Sequence, residues 1–199
     1  MSRRKVSNPL ALAALACLAE RSMHPYEIAV TLRERRKDDS VRLNYGSLYT
    51  IVQSLERHGL IQAEQTERPG ARPERTVYAI TAAGRHELLD WLSELTATPA
   101  KEFVQFEAAL SFLPILSPEE AAALLEERCR RLELELAQDR GARDYAGKQG
   151  LPRLFAIESE YRSALKQAEL DWTRALAGDI REDRLDGLEL WRTFHREPR

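Results

Sequence analysis

Apolar residues recur at helical intervals through the first sixty positions, alternate over the next twenty, and return to helical spacing for the rest of the chain. That pattern predicts helices grouped around one short hairpin. Leu10, Leu12, Leu15, Cys17 and Leu18, in an alanine-rich run, read as a buried helix with Asn8 as N-cap and Pro9 at its first position. A second helix opens at Pro25 on Tyr26, Ile28, Ala29 and Leu32. Arg33, Arg35, Arg36 and Lys37 load its last turns, and it closes before Asp38. A third follows Asn44 with the inward stripe Leu48, Ile51, Val52 and Leu55, and ends at Gly59. Residues 60–66 and 75–80 read as two strands joined by an arginine-bearing loop, and Thr81 caps a fourth helix carrying Leu88, Leu89, Leu92 and Leu95.

The third helix leaves one side free. That side holds Tyr45, Gly46, Ser47, Tyr49, Thr50, Gln53 and Arg57, with Asn44 at its head. A helix that enters a DNA groove needs such a face: small residues admit close approach, hydroxyls and amides meet donors and acceptors, and unpaired backbone N–H groups meet phosphate. A solvated amphipathic helix would show the same spacing. The hairpin that follows favours the first reading, because three helices and a hairpin make a winged helix-turn-helix. Its loop would then carry Arg68, Arg72 and Arg75 to the DNA backbone or minor groove. Tyr78, alternating inward with Ile80, belongs to the core.

Beyond Pro99, Phe103, Phe106, Leu110, Phe112 and Leu113 predict a short apolar helix that stops near Pro114. Ser117-Pro118-Glu119-Glu120 is a helix start with a capping box, and a long helix is expected to run to about Arg140, broken by Gly141 and by residues 147–152. A further helix then carries Leu154, Ile157, Tyr161, Leu165, Ala168, Trp172 and Leu176 in steps of three and four. Two such helices form an antiparallel hairpin whose remaining apolar stripe wants a partner. Leu154, Ile157, Tyr161, Leu165, Trp172 and Leu176 are therefore expected to dimerise the chain, the alternative being that they pack within one copy. A last short helix around Leu185, Leu188, Leu190, Trp191 and Phe194 is expected to dock on a partner. The fold class is mainly α with a small β-hairpin wing: a winged helix-turn-helix over 1–97 and an antiparallel helical dimerisation domain over 98–199.

Composition narrows the functions. The first 75 residues carry 13 Lys/Arg against 9 Asp/Glu, the remainder 17 against 23, so the N-terminal part tolerates a polyanion better than the net charge of −2 suggests. The longest apolar run, Pro9–Ala19, is too short to cross a membrane. The Ser2-Arg3-Arg4-Lys5 before it reads as a basic arm rather than the head of a secretion signal. Cys17 and Cys129 are the only cysteines, which excludes a disulfide framework and fits a reducing cytoplasm. No nucleotide-binding glycine loop, nucleophile elbow or zinc-protease motif occurs, and His24, His58, His86 and His195 lack partners at ligand spacing. No catalytic residue, metal or cofactor is assigned.

Four fragments, His24-Pro25-Tyr26-Glu27-Ile28, Gly46-Ser47-Leu48-Tyr49, Leu55-Glu56-Arg57-His58-Gly59-Leu60-Ile61 and Arg75-Thr76-Val77-Tyr78-Ala79-Ile80-Thr81-Ala82-Ala83-Gly84, closely resemble the PadR family of bacterial transcriptional regulators in order and spacing. The helical C-terminal half resembles, in pattern only, the virulence-activator-like dimerisation region of longer members. The resemblance implies a repressor on double-stranded DNA, acting as a homodimer on a palindromic operator in the cytoplasm, at the bacterial nucleoid. It gives Tyr26 and Tyr49 the look of backbone-contacting tyrosines, although Tyr26 packing between helices is the alternative. It also implies a small aromatic effector, for which Trp91, Phe103, Phe106 and Phe112 are candidate pocket residues against the alternative of core packing. A reading from another class is a helical protein-interaction adaptor that uses the winged helix as a scaffold.

Overall fold

Asn8 starts the first helix: its side chain accepts from the Leu10 N–H at 2.9 Å, and Pro9 takes the first helical position, where no N–H is needed. In the computed structural model, which describes residues 6–67 and 75–196, this helix is α1 (Pro9–Glu20). The basic arm expected at Ser2-Arg3-Arg4-Lys5 lies outside the described residues. α2 (Pro25–Glu34) opens on a capping box in which the Tyr26 N–H donates to His24 Nδ1 and the His24 N–H to Glu27. α3 (Tyr45–Arg57) is capped by Asn44 and closes as a Schellman turn. Gly59 takes a left-handed φ of 70°, its N–H reaches the Glu56 carbonyl, and the Leu60 N–H reaches that of Leu55.

β1 (Ile61–Glu67) and β2 (Arg75–Ile80) pair antiparallel from Ile61 opposite Ile80 to Glu67 opposite Arg75, with a bulge between Ala63 and Gln65. Met23, between α1 and α2, exchanges two 3.0 Å backbone hydrogen bonds with Tyr78, which ties the hairpin to the helices. Thr81 then joins hairpin to helix: its hydroxyl donates to the Gly59 carbonyl at 2.7 Å while accepting from the Gly84 N–H, opening α4 (Ala82–Ala97). Leu10, Leu15, Leu18, Met23, Ile28, Leu48, Leu55 and Ile61 are buried in one core, joined by Leu88 and Trp91 from α4.

The chain divides into two compact units, Met1–Lys101 and Glu102–Arg199. The second contains α5 (Gln105–Ser111), α6 (Pro118–Lys148), α7 (Ile157–Arg181) and α8 (Leu188–Arg196). α6 runs on through Gly141, where a break was expected, and ends only at Gly150, whose φ is 75°. Leu154 sits in a 3-10 turn ahead of α7 rather than inside it.

α6 and α7 are antiparallel. Leu125, Cys129, Leu132 and Leu136 face Leu170, Thr173, Ala177 and Ile180, and flanking ion pairs link Glu126 to Arg181, Arg128 to Glu169, Glu133 to Arg174, and Glu135 with Asp139 to Lys166. Burial by itself would lower the Lys166 ammonium, but its two carboxylates outweigh that and hold it raised. α8 docks within its own unit. Leu188 and Trp191 enter the core beside Ala121 and Leu125, and Trp191 Nε1 donates to the Leu116 carbonyl at 2.8 Å, so the expectation that this helix waits for a partner is corrected for those residues.

Candidate nucleic-acid interface

Two opposite demands on α3 are met by its sequence. Leu48, Ile51, Val52 and Leu55 are buried, while Gly46, Ser47, Tyr49, Thr50, Gln53 and Arg57 are exposed. The outward face therefore holds the residues expected there except Tyr45, which is half-buried, and it is led by Asn44, whose side-chain oxygen accepts from the Gly46 N–H at 2.9 Å and the Ser47 N–H at 3.4 Å. That capping role occupies the Asn44 oxygen and fixes the first turn. The Thr50 hydroxyl donates back to the Gly46 carbonyl at 3.1 Å, which uses its proton and leaves its oxygen to a partner only as an acceptor.

Tyr26 of α2 and His24, the N-cap of that helix, flank this face. Tyr26, 53% exposed, stacks on Tyr45 with ring centres 6.2 Å apart and planes 12° from parallel. Tyr49, 44% exposed, meets the edge of His24 at 6.3 Å. Tyr45 is half-buried against the core, and its hydroxyl accepts from Arg33 at 2.5 Å while the guanidinium lies 4.4 Å from its ring centre. Tyr78 packs against the core too, where burial and then the nearby Glu56 push its phenol above the usual value.

Beside the head of α3 a cleft of about 590 Å³ is lined by Ser7, Asn8, Pro9, Leu10, Arg42, Asn44 and Ser47. Arg42 is exposed there and makes no ion pair among the described residues. Neither Arg33 nor Arg42 stands out in the sequence as a neighbour of this face. Arg33 meets Tyr45 across twelve residues and two helices, and Arg42 is one arginine in a short connection, so neither left a periodic signal. Of the wing arginines, Arg68 and Arg72 lie outside the described residues, and Arg75 is placed at the start of β2.

In the second unit Leu154, Ile157, Tyr161, Leu165 and Trp172 are all more than half exposed, whereas Leu176 is half-buried against the unit's own core. Trp172 also meets the edge of Phe106 at 6.3 Å, and Arg128 covers that ring at 3.7 Å. The four proposed pocket aromatics are dispersed within their units. Trp91 is in the core of the first, Phe106 packs against the core of the second, and Phe103 and Phe112 are 88% and 66% exposed. A separate apolar hollow of about 310 Å³ lies between α5 and α8, lined by Leu110, Leu113, Leu185, Leu190, Trp191 and Phe194 among others.

Among the described residues no helix is long and apolar enough to cross a membrane. Residues 14–90 match the model of the transcriptional regulator PadR-like family. No curated protein sequence matches the chain significantly. Among solved structures it is similar to Bacillus subtilis PadR in complex with operator DNA, with a TM-score of 0.69 at 20% identity over 87% of this chain and 99% of that one. It is similar to the same protein in complex with p-coumaric acid, with a TM-score of 0.68 at 19% identity over 86% and 98%. The Vibrio cholerae virulence activator AphA gives 0.66 at 21% identity over 87% and 98%. At these identities the likeness establishes the fold: a winged helix followed by a helical C-terminal part.

Proposed function

We propose, from the premise that this chain is a member of the PadR-like family of transcriptional regulators through its residues 14–90, that it binds double-stranded DNA sequence-specifically as a homodimer and represses the genes it binds. One observation carries the reading. α3 buries all four members of its inward stripe and turns Gly46, Ser47, Tyr49, Thr50 and Gln53 outward at its N-terminal end, the end that reads base edges in helix-turn-helix proteins. Ser47 and Gln53 offer hydrogen bonds to base edges, Gly46 lets the helix approach, and Tyr26, Tyr49 and Arg42 serve the phosphates on either side. Arg68, Arg72 and Arg75 belong to the same reading as contacts from the wing. The Bacillus subtilis relative, whose structure holds operator DNA, supports it.

A palindromic operator requires two such helices about 34 Å apart, one helical turn of DNA, and hence a twofold dimer. The exposed faces of Leu154, Ile157, Tyr161, Leu165 and Trp172 are the proposed contact, with Leu176 at its edge. The p-coumaric acid complex of the relative supports a small aromatic effector here as well, one that releases the DNA, with Phe103, Phe106, Phe112 and Trp91 as the residues first to be tested. The regulator would act in the bacterial cytoplasm, at the nucleoid, and performs no catalytic step.

The test is binding of the full chain to a duplex from its own promoter region, followed by fluorescence anisotropy over a salt series. Affinity should fall by at least about a hundredfold between roughly 50 and 200 mM salt, as counterion release from several phosphates requires. Ser47→Ala and Tyr49→Ala should weaken binding about tenfold with the melting temperature unchanged, since both side chains are exposed. Salt-independent or absent binding would favour a protein-interaction adaptor built on the same scaffold.

A further inference from the structure

We infer that Arg33 is a positioning residue for DNA contact, acting through the Tyr45 hydroxyl, and that the group it serves is a backbone phosphodiester oxygen. The inference rests on the DNA-binding reading above and adds to it a residue outside α3. A phenol oxygen can donate one hydrogen bond and accept others. Arg33 occupies an acceptor position of Tyr45 at 2.5 Å, and among the described residues no group takes the hydroxyl proton. A hydroxyl already accepting from a cation is polarised into a stronger donor, and the partner that suits it is an anionic oxygen.

The surroundings hold this arrangement in place. The guanidinium lies 4.4 Å from the Tyr45 ring centre, Tyr26 stacks on that ring 12° from parallel, and Arg33 makes no ion pair with a carboxylate among the described residues. Tyr45 is the first residue of α3, next to the Gly46 and Ser47 of the outward face. A phosphate seated there would meet the Tyr45 proton where Asn44 has already fixed the first turn. The cluster thus couples α2 to the register of α3 on DNA. It contributes orientation, because phosphate contacts position a protein without reading sequence.

The competing role is a direct phosphate contact by Arg33 itself, and a double-mutant cycle separates the two. Arg33→Gln, Tyr45→Phe and the double variant of the full chain are titrated against the same promoter duplex across the salt series, with thermal melts confirming that each folds. Each single variant should weaken binding about tenfold, the loss of one charge-assisted hydrogen bond. The double variant should be no weaker than the weaker single, and Arg33→Gln should leave the slope of log affinity against log salt unchanged. A merely structural Arg33 would still cost affinity in the Tyr45→Phe background. Additive losses, a slope reduced by about one, or no effect of Arg33→Gln would overturn the inference while wild-type binding persists. Absence of wild-type binding would overturn the DNA-binding reading itself.

Discussion

Gly46 and Gly84 show how differently two glycines can be used. A Cβ on Gly46 would meet only the Asn44 side-chain oxygen at 3.5 Å, whereas one on Gly84 would lie 2.0 Å from the Leu60 carbonyl and 2.9 Å from Ile80. Gly84 is therefore required by the fold, where α4 presses against the turn after α3. Gly84→Ala should lower stability by about 3 kcal/mol in chemical denaturation, and a loss below half that would show that the turn can shift. Gly46 is required only if something must approach α3. Gly46→Ala should keep or slightly raise the melting temperature while weakening DNA binding, and unchanged affinity would mean that the head of α3 stays clear of the groove. Thr173 makes a different point, since it is fully buried between α6 and α7 with a hydroxyl that has no hydrogen-bond partner among the described residues. Thr173→Val keeps the shape and removes that unmet group, so it should stabilise the protein by about 1 kcal/mol, read from the same denaturation curves. At this scale the sequence was most legible where a residue acts on its own neighbours: Asn8, Asn44, Thr81 and Ser117 all cap the helices expected of them.

Among the elements, α6 shows where pattern reading fails. Gly141 was expected to interrupt it, but a single helical glycine costs only about 1 kcal/mol against alanine, too little to end a helix of 31 residues held along its length by α7. Its end is set by Gly150, whose left-handed backbone closes a Schellman turn in which the Leu151 N–H reaches the Ala146 carbonyl, two residues ahead of Arg153. The signal that mattered was the glycine able to satisfy orphan carbonyls, followed by Pro152. The contacts of Arg33 with Tyr45 and of Met23 with Tyr78 were illegible for another reason: they join residues that only the packed helices bring together. Charge along the α6–α7 hairpin leads to a pH dependence. Hydrogen bonds from Arg181 to Glu126, from Arg131 and Arg130 to Glu127, and from Arg153 to Glu160 hold these carboxyls below their usual range. Folded values below unfolded ones mean that the stabilisation is present above the ordinary glutamate pKa of about 4.3 and is lost as pH falls through the lower folded values. The melting temperature followed by far-UV circular dichroism should hold from pH 7 to 5 and drop toward pH 3, less so in high salt. A constant value down to pH 3 would show the pairs to be energetically silent.

For the whole molecule the question is what covers the second apolar face of α7. At 100° per residue, Leu170, Thr173, Ala177 and Ile180 point to α6, while Tyr161, Leu165 and Trp172 lie roughly a quarter to a third of a turn away and stay more than half exposed. A helix that is apolar on two faces and packs one of them within its own unit leaves the other for a partner. A second copy, the partner proposed above, would cover that face and also place two α3 helices on one duplex. The same substitution then probes both consequences. Leu165→Glu puts a charge on the exposed face without touching the α6 contact, so it should leave helicity and unfolding of the chain intact while shifting light scattering from dimer to monomer. With the two α3 helices no longer linked, operator affinity should fall by about a hundredfold or more, because the second half-site loses its effective concentration. A half-site duplex should be bound by the variant as well as by the wild-type protein, since each α3 keeps its own face. Were Leu165→Glu to remain dimeric with full operator affinity, the twofold would have to run through another surface, and the hollow between α5 and α8, with Leu190 and Phe194 exposed at its rim, would be the next to test.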